Sequence, residues 1–380
     1  MASSSSCSTS SPCVPPRSYP FSSYPLELEK ESQEVIAHFK SLMEINQEFK
    51  KLIEERTAEN YLGFITQGIL KRPLWISPTG DCYPIFLDRV IAESKGGDKK
   101  WVCALDLTKK KVRALGMIKE ALPFGPRKPN AWHEYLVVTE YKIGPKCHGF
   151  HSTQELSFSH PRNTKLCTSY ILQAKYDQDL AQFLDMERRK YITDRPMLKR
   201  IAEDVTVRLI TEVARLNEKG IIHRDIKPDN FLVKGTKTGT YKLKVTDLEF
   251  AHKPGVSSRS VGTRECVSPQ YASQILSRPQ HGPFTVSALN EGWALGITIL
   301  KIRTAFGLNK KIDLIFDRTL PTRKIFENIC SLFDRPDWLY PSEPEDPYEQ
   351  VMWHLLRVSE MERWSPQKAH AYIAPFALPS

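Results

Sequence analysis

The residues best suited to chemistry fall in one stretch, Ile222-His223-Arg224-Asp225-Ile226-Lys227-Pro228-Asp229-Asn230-Phe231-Leu232-Val233. A carboxylate (Asp225), an ammonium (Lys227) and an amide (Asn230) lie within six residues of one another. Asp225 is suited to orienting a hydroxyl and taking its proton, Lys227 to neutralising a phosphate oxygen, and Asn230 to ligating a hard cation through its amide oxygen. A second short apolar run, Leu243-Lys244-Val245-Thr246, ends in Asp247. An aspartate at a strand end, opposite an asparagine, supplies oxygen donors of the kind that hold Mg2+ beside phosphates.

These side chains need elements to position them. Upstream, Val205, Leu209, Val213 and Leu216 share one helical face, and Gly220 stops that helix. Further upstream, Phe86–Glu93, Trp101–Asp106 and Val112–Ile118 read as three short strands, with Gly96-Gly97 as the first turn. A small strand-rich part before a larger helical part predicts an α+β layout in two lobes. Residues 61–83 carry glycine and proline breaks and read as irregular connection. Before them, Leu28, Val35, Leu42 and Phe49 recur every seven residues and predict one helix over about 26–56. Its apolar stripe suits docking on the following domain; coiled-coil self-association is the alternative. Residues 1–25 hold ten serines and no acidic residue and are expected to be disordered. They read either as a plain tail or as an address for a plastid or for export.

Lys and Arg number 54 against 44 Asp and Glu, a net charge of +10 that suggests an anionic partner. The eight cysteines form no C-x-x-C pair, which argues against a zinc or redox motif and for free thiols in a reducing, cytoplasmic setting. No apolar run approaches the roughly 18 residues of a membrane span.

The 222–233 segment closely resembles the eukaryotic-type protein kinase family, whose catalytic loop reads H-R-D-x-K-P-x-N. Further landmarks follow in order: Asp247-Leu248-Glu249 where the family has D-F-G, Gly262-Thr263, Ser268-Pro269-Gln270 for A-P-E, Glu291-Gly292-Trp293, and a late Arg363. The resemblance covers about residues 84–375. It implies a two-lobed kinase-like fold with a small antiparallel-sheet N-lobe and a larger helical C-lobe. It also implies Asp225 and Lys227 as catalytic residues, Asn230 and Asp247 as Mg2+ ligands, and ATP as donor. Lys227, in place of the Ala usual in tyrosine members, points to a Ser/Thr protein substrate, with no nucleic acid involved.

The N-lobe departs from the family. Aligning Ala114 with the alanine of V-A-I-K puts Gly116 where the strand lysine belongs, and Lys119 points to the other face. The phosphate loop keeps Gly97, but Lys100 takes the place of its last glycine. This is similar to the with-no-lysine kinases, in which a loop lysine replaces the strand lysine. The expectation is that Lys100 reaches the phosphates and pairs with Glu134, with Glu140 second. Gly97, Val102, Ala114 and Leu232 are then expected to line the nucleotide pocket. Glu249 replaces the mobile glycine of D-F-G, and Gln270 replaces the A-P-E glutamate, so its bond to Arg363 becomes a hydrogen bond. The chemical groups of the C-lobe all remain, which favours a serine/threonine kinase; the alternative is a pseudokinase scaffold that regulates a partner.

Overall fold

The computed structural model describes residues 26–377, apart from residues 46, 78, 286 and 336 and the segments 58–61, 65–72, 95–96, 124–129, 157–163, 237–239, 259–261, 278–283, 310–318 and 340–341. The serine-rich 1–25 segment therefore lies outside the described residues. Helical periodicity at the start of the chain forms two helices, α1 (Leu26–Ile45) and α2 (Gln47–Thr57), rather than the single helix expected.

The strand-patterned part forms a seven-stranded antiparallel sheet in the order β1-β2-β3-β4-β5-β7-β6. Its strands are β1 (Leu62–Phe64), β2 (Pro73–Ile76), β3 (Cys82–Glu93), β4 (Lys99–Asp106), β5 (Lys111–Pro123), β6 (Cys147–Leu156) and β7 (Thr164–Ala174). Helix α3 (Asn130–Tyr141) lies between β5 and β6 in sequence. The three expected strands are present and longer than read. β1 and β2, however, fall in the stretch read as irregular connection, so the sheet begins well before residue 84. Strands of three and four residues are too short to show alternation, and Pro73 is tolerated because it opens its strand.

Alternation decides what each sheet face meets. Val102, Ala104 and Leu115 pack on one face with Trp75, Tyr83 and Leu172. On the other face, Phe86, Cys103 and Leu105 bury against Leu28 and Ile36 of α1, while Leu42 and Ile53 meet Leu74 and Ile76. Arg89 adds a bond to Glu31 at 3.4 Å. Leu28, Val35 and Leu42 of the heptad stripe thus dock on the chain's own sheet.

The second lobe contains β8 (Gln178–Asp179), α4 (Leu180–Lys190), α5 (Arg195–Glu218), β9 (Phe231–Gly235), β10 (Tyr241–Val245), β11 (Ser257–Ser258), α6 (Pro269–Ser277), β12 (Phe284–Thr285), α7 (Ala288–Ala305), α8 (Thr322–Cys330), α9 (Pro347–Leu355) and α10 (Pro366–Ile373). Val205, Leu209, Val213 and Leu216 of α5 are fully buried, and Gly220, at φ +70°, follows the helix as expected. Trp293, Leu295, Ile297 and Ile299 of α7 join the same core. Buried Arg363 lies 5.0 Å from the Trp293 ring and donates to Gln270 Oε1 at 2.8 Å, the hydrogen bond expected in place of an ion pair.

Gly292 lets α7 approach the carbonyl of Trp364 so closely that a Cβ would stand 2.5 Å from that oxygen. Neither backbone can yield cheaply, so Gly292→Ala is expected to cost about 2–3 kcal/mol. Urea unfolding of the full chain measures this, and an unchanged midpoint would contradict the close approach.

Candidate active site

Asp225 sits in the turn between α5 and β9 and is 6% exposed. Its Oδ1 accepts bonds from Thr263 N and Oγ1 at 2.8 and 2.7 Å. Its Oδ2 accepts from Lys227 Nζ at 2.6 Å and Asn230 Nδ2 at 3.0 Å. Burial works against the charge of this carboxylate, but Lys227, Thr263 and His223 outweigh it and hold its pKa below the usual value. Asp225 is therefore ionised at neutral pH. Lys227 is likewise held above its ordinary pKa, burial being overcome by Asp225, Asp247 and Asp229.

The loop is anchored from behind. His223 is fully buried, its Nδ1 accepts from Asp225 N, and Nε2 therefore donates to Thr246 O at 2.8 Å. Glu291, at the start of α7, accepts from Asn217 Nδ2 and from the backbone N–H groups of His223 and Arg224. Burial pushes its carboxyl up to about 7. Arg224 and Asp247 both hold positive φ, +76° and +61°, a conformation that non-glycine residues adopt at a cost of about 1–3 kcal/mol when the surroundings enforce it. Thr263 as a partner of Asp225 was not read from the sequence; only the fold brings two residues 38 apart together.

β9 and β10 pair so that Val245 faces Phe231, and Thr246 N donates to Asn230 O at 2.9 Å. Asn230 and Asp247 consequently border the same cavity of about 550 Å³ between the lobes, together with Lys227 and Leu232. Both donated bonds of Asn230 go to Asp225, which leaves its Oδ1 as the atom for a cation. One carboxylate and one amide oxygen beside a cleft of this size is a donor set that fits Mg2+.

The N-lobe supplies a lysine to this cleft, but it is Lys99 rather than Lys100. Lys99 Nζ lies 2.5 Å from Asp247 Oδ1 and 3.7 Å from Glu134 Oε2 on α3. Burial opposes the ammonium, yet Glu134, Asp247 and Glu249 keep it charged and above its ordinary pKa. Strand register decides which lysine enters the cleft. The turn closes at Ser94 and Lys99, with Gly97 exposed at its corner at φ +69°, so β4 starts at Lys99 and the face it turns to the cleft carries Lys99 and Trp101, one residue out of step with the expected Lys100 and Val102. A slip of one residue moves every side chain to the opposite face. The same slip removes Val102 from the pocket and buries it under Trp75 and Tyr83. Trp101 borders the cleft instead, alongside Ala114, which stands where it was expected. Gly97 lies on the connecting turn but does not border the cavity. Glu134, 3% exposed, is the partner on α3, whereas Glu140 and Lys119 face solvent.

Of the eight basic residues in 95–119, Lys99 is the one that borders this cavity among the described residues. Lys109, Lys110 and Lys111 lie exposed on the β4–β5 turn, and Arg113 pairs with Asp106 at 2.8 Å, so this local charge excess does not surround the phosphate end of the cleft. Glu249 lies in a single 3-10 turn, Leu248–Phe250, and burial pushes its carboxyl up to about 7. The segment between the lobes adds Gln173, Tyr176 and Asp179 to the cavity wall, none of which carries a signal that sequence spacing reveals.

A family model described as the protein kinase domain matches residues 138–373. Among known proteins, the chain is 30% identical over 117 residues to serine/threonine-protein kinase KSP1 of Saccharomyces cerevisiae, covering 30% of this chain and 11% of that protein. It is 28% identical over 178 residues to 3-phosphoinositide-dependent protein kinase 1 of Rattus norvegicus, covering 44% of this chain and 28% of that protein. The chain thus spans well under two thirds of the length of either relative. A crystal structure of a rhoptry kinase from Toxoplasma gondii shares the fold, with a TM-score of 0.50 at 17% identity, over 81% of this chain and 78% of that one. Since the family match takes in more than half of the 380 residues and its catalytic loop is assembled in the cleft, the chain belongs to the protein kinase domain family.

Proposed function

We propose that this chain is a serine/threonine protein kinase that transfers the γ-phosphate of ATP to a protein hydroxyl. The observation that carries the reading is the single hydrogen-bonded unit of Asp225, Lys227 and Asn230 at the cleft that also receives Asp247 and Lys99. Asp225, ionised and held at both oxygens, orients the acceptor hydroxyl and takes its proton as the oxygen bonds phosphorus. It also borders a second, smaller cavity with Thr263, Cys266 and Val267, which suits the acceptor side. Lys227 neutralises charge on the transferred group, and Lys99, steadied by Glu134, holds the donor phosphates. Asn230 Oδ1 and Asp247 would hold Mg2+, which supplies charge neutralisation across the phosphates. Catalysis of this kind rests on position and electrostatics rather than on covalent chemistry by the protein. The Ser/Thr assignment draws on Lys227.

A second reading, a nucleotide-binding scaffold without turnover, draws on two observations. Lys99 occupies Asp247 Oδ1, and a carboxylate stands two residues after Asp247 where mobility would favour glycine. Phosphate transfer from MgATP by the purified chain separates the two, with Asp225→Ala and Asp247→Ala as controls. The kinase reading expects incorporation that both substitutions abolish. Mg-dependent ATP binding without transfer supports the scaffold, and transfer that persists in both variants comes from another enzyme.

The two adjacent lysines give a sharper result. Lys99→Met is expected to lower the transfer rate by about 10²–10³, the usual cost of one preorganised charge. Lys100→Met, on the other face, is expected to stay within about threefold of the unaltered chain, well below that cost. Equal effects in steady-state kinetics would remove the assignment of Lys99.

A further inference from the structure

We propose that Trp101, seated on Gly116, is a positioning residue that holds Lys99 and Glu134 in register for the nucleotide; the proposal rests on the reading of Lys99 given above. Trp101 and Lys99 are two apart on β4 and share its cleft face. The sheet register places Trp101 directly opposite Gly116 of β5. A Cβ at Gly116 would stand 2.7 Å from Trp101 Cη2 and 2.8 Å from both Cζ2 and Cζ3. Three ring atoms at nearly one distance mean that the six-membered ring lies face-on over the glycine. No other residue type at position 116 leaves room for the ring there.

The indole packs against the buried cluster of Ile118, Ala131 and Ile171. Ala131 is on α3, three residues before Glu134 and therefore one turn away on a neighbouring face. One rigid side chain thus ties the strand that carries the cation to the helix that carries its carboxylate. A lysine stem has many rotamers, and a flat wall beside it removes some of them before the nucleotide arrives. The missing strand lysine is then part of a three-residue arrangement. Gly116 vacates the space, Trp101 fills it, and Lys99 brings the cation from the next strand along the same face.

The test measures MgATP affinity by calorimetric titration, with thermal melting of the same samples, on the full chain. Lys99→Met and Trp101→Val are each expected to weaken binding by about tenfold, and the double variant by no more than about twofold beyond the weaker single, because the two act as one unit. Trp101→Phe, which keeps a ring on the glycine, is expected within about threefold of the unaltered chain, and Gly116→Ala, which lifts the ring, is expected to match Trp101→Val. Unchanged affinity in Trp101→Val, or a double variant that loses the full product of about 100-fold, overturns the proposal while Lys99→Met remains impaired. If Lys99→Met itself binds like the unaltered chain, or that chain binds no MgATP, the underlying reading falls and the proposal with it. Should Trp101→Val fail to fold, Trp101→Phe and Gly116→Ala carry the comparison: a loss in the second alone supports the proposal, and equal affinities overturn it.

Discussion

One ammonium group links the two halves of this molecule. Lys99 projects from the N-lobe sheet, meets Glu134 on α3 and reaches Asp247 at the end of β10 in the other lobe. With a single cation shared by two carboxylates and a third nearby, the position of the strand, the helix and the metal-site loop become one electrostatic problem. A buried charge left without its partners is strongly unfavourable, so each element constrains the others. The remaining architecture keeps the geometry of that contact: the sheet fixes where β4 starts, α5 and α7 fix the catalytic loop, and the β9–β10 pair fixes Asp247.

The C-lobe chemistry was legible in the sequence because its donors are close together in the chain. Asp225, Lys227 and Asn230 occupy one turn, so residue type and spacing alone bring them within bonding distance. The N-lobe was harder to read, since its contribution depends on which face of a strand a residue occupies. Two adjacent lysines sit at the turn, and nothing local distinguishes Lys99 from Lys100. The discriminating signal was present but non-local: a tryptophan at 101 opposite a glycine at 116 is a large-to-small match that fixes the register. It could not be used until the two strands had been paired. The short strands β1 and β2 escaped for a different reason, their length being below that at which alternation is visible.

The departures from the family pattern also differ in physical weight. Gln270 keeps a hydrogen bond to Arg363 but supplies no formal charge to a buried guanidinium, whose pKa burial pushes down to about 10. Glu291 keeps its acceptor role toward three donors. Glu249 adds a half-buried titratable group two residues from Asp247 where the family has none, and burial pushes its carboxyl up to about 7.

The docking of α1 and α2 bears on what counts as the folding unit. The match to the family model begins at residue 138, yet five strands and two helices precede it. Cutting the chain at that boundary would remove β3, β4 and β5, the strands that carry Lys99, Trp101 and Gly116. Even a cut just before β3 would leave Phe86, Cys103 and Leu105 uncovered on a sheet face that α1 now shields. A bare apolar face of that kind promotes association with other chains. The opening helices therefore act as a lid on the small lobe's hydrophobic surface, and the packed unit extends well upstream of residue 138, where the match to the family model begins.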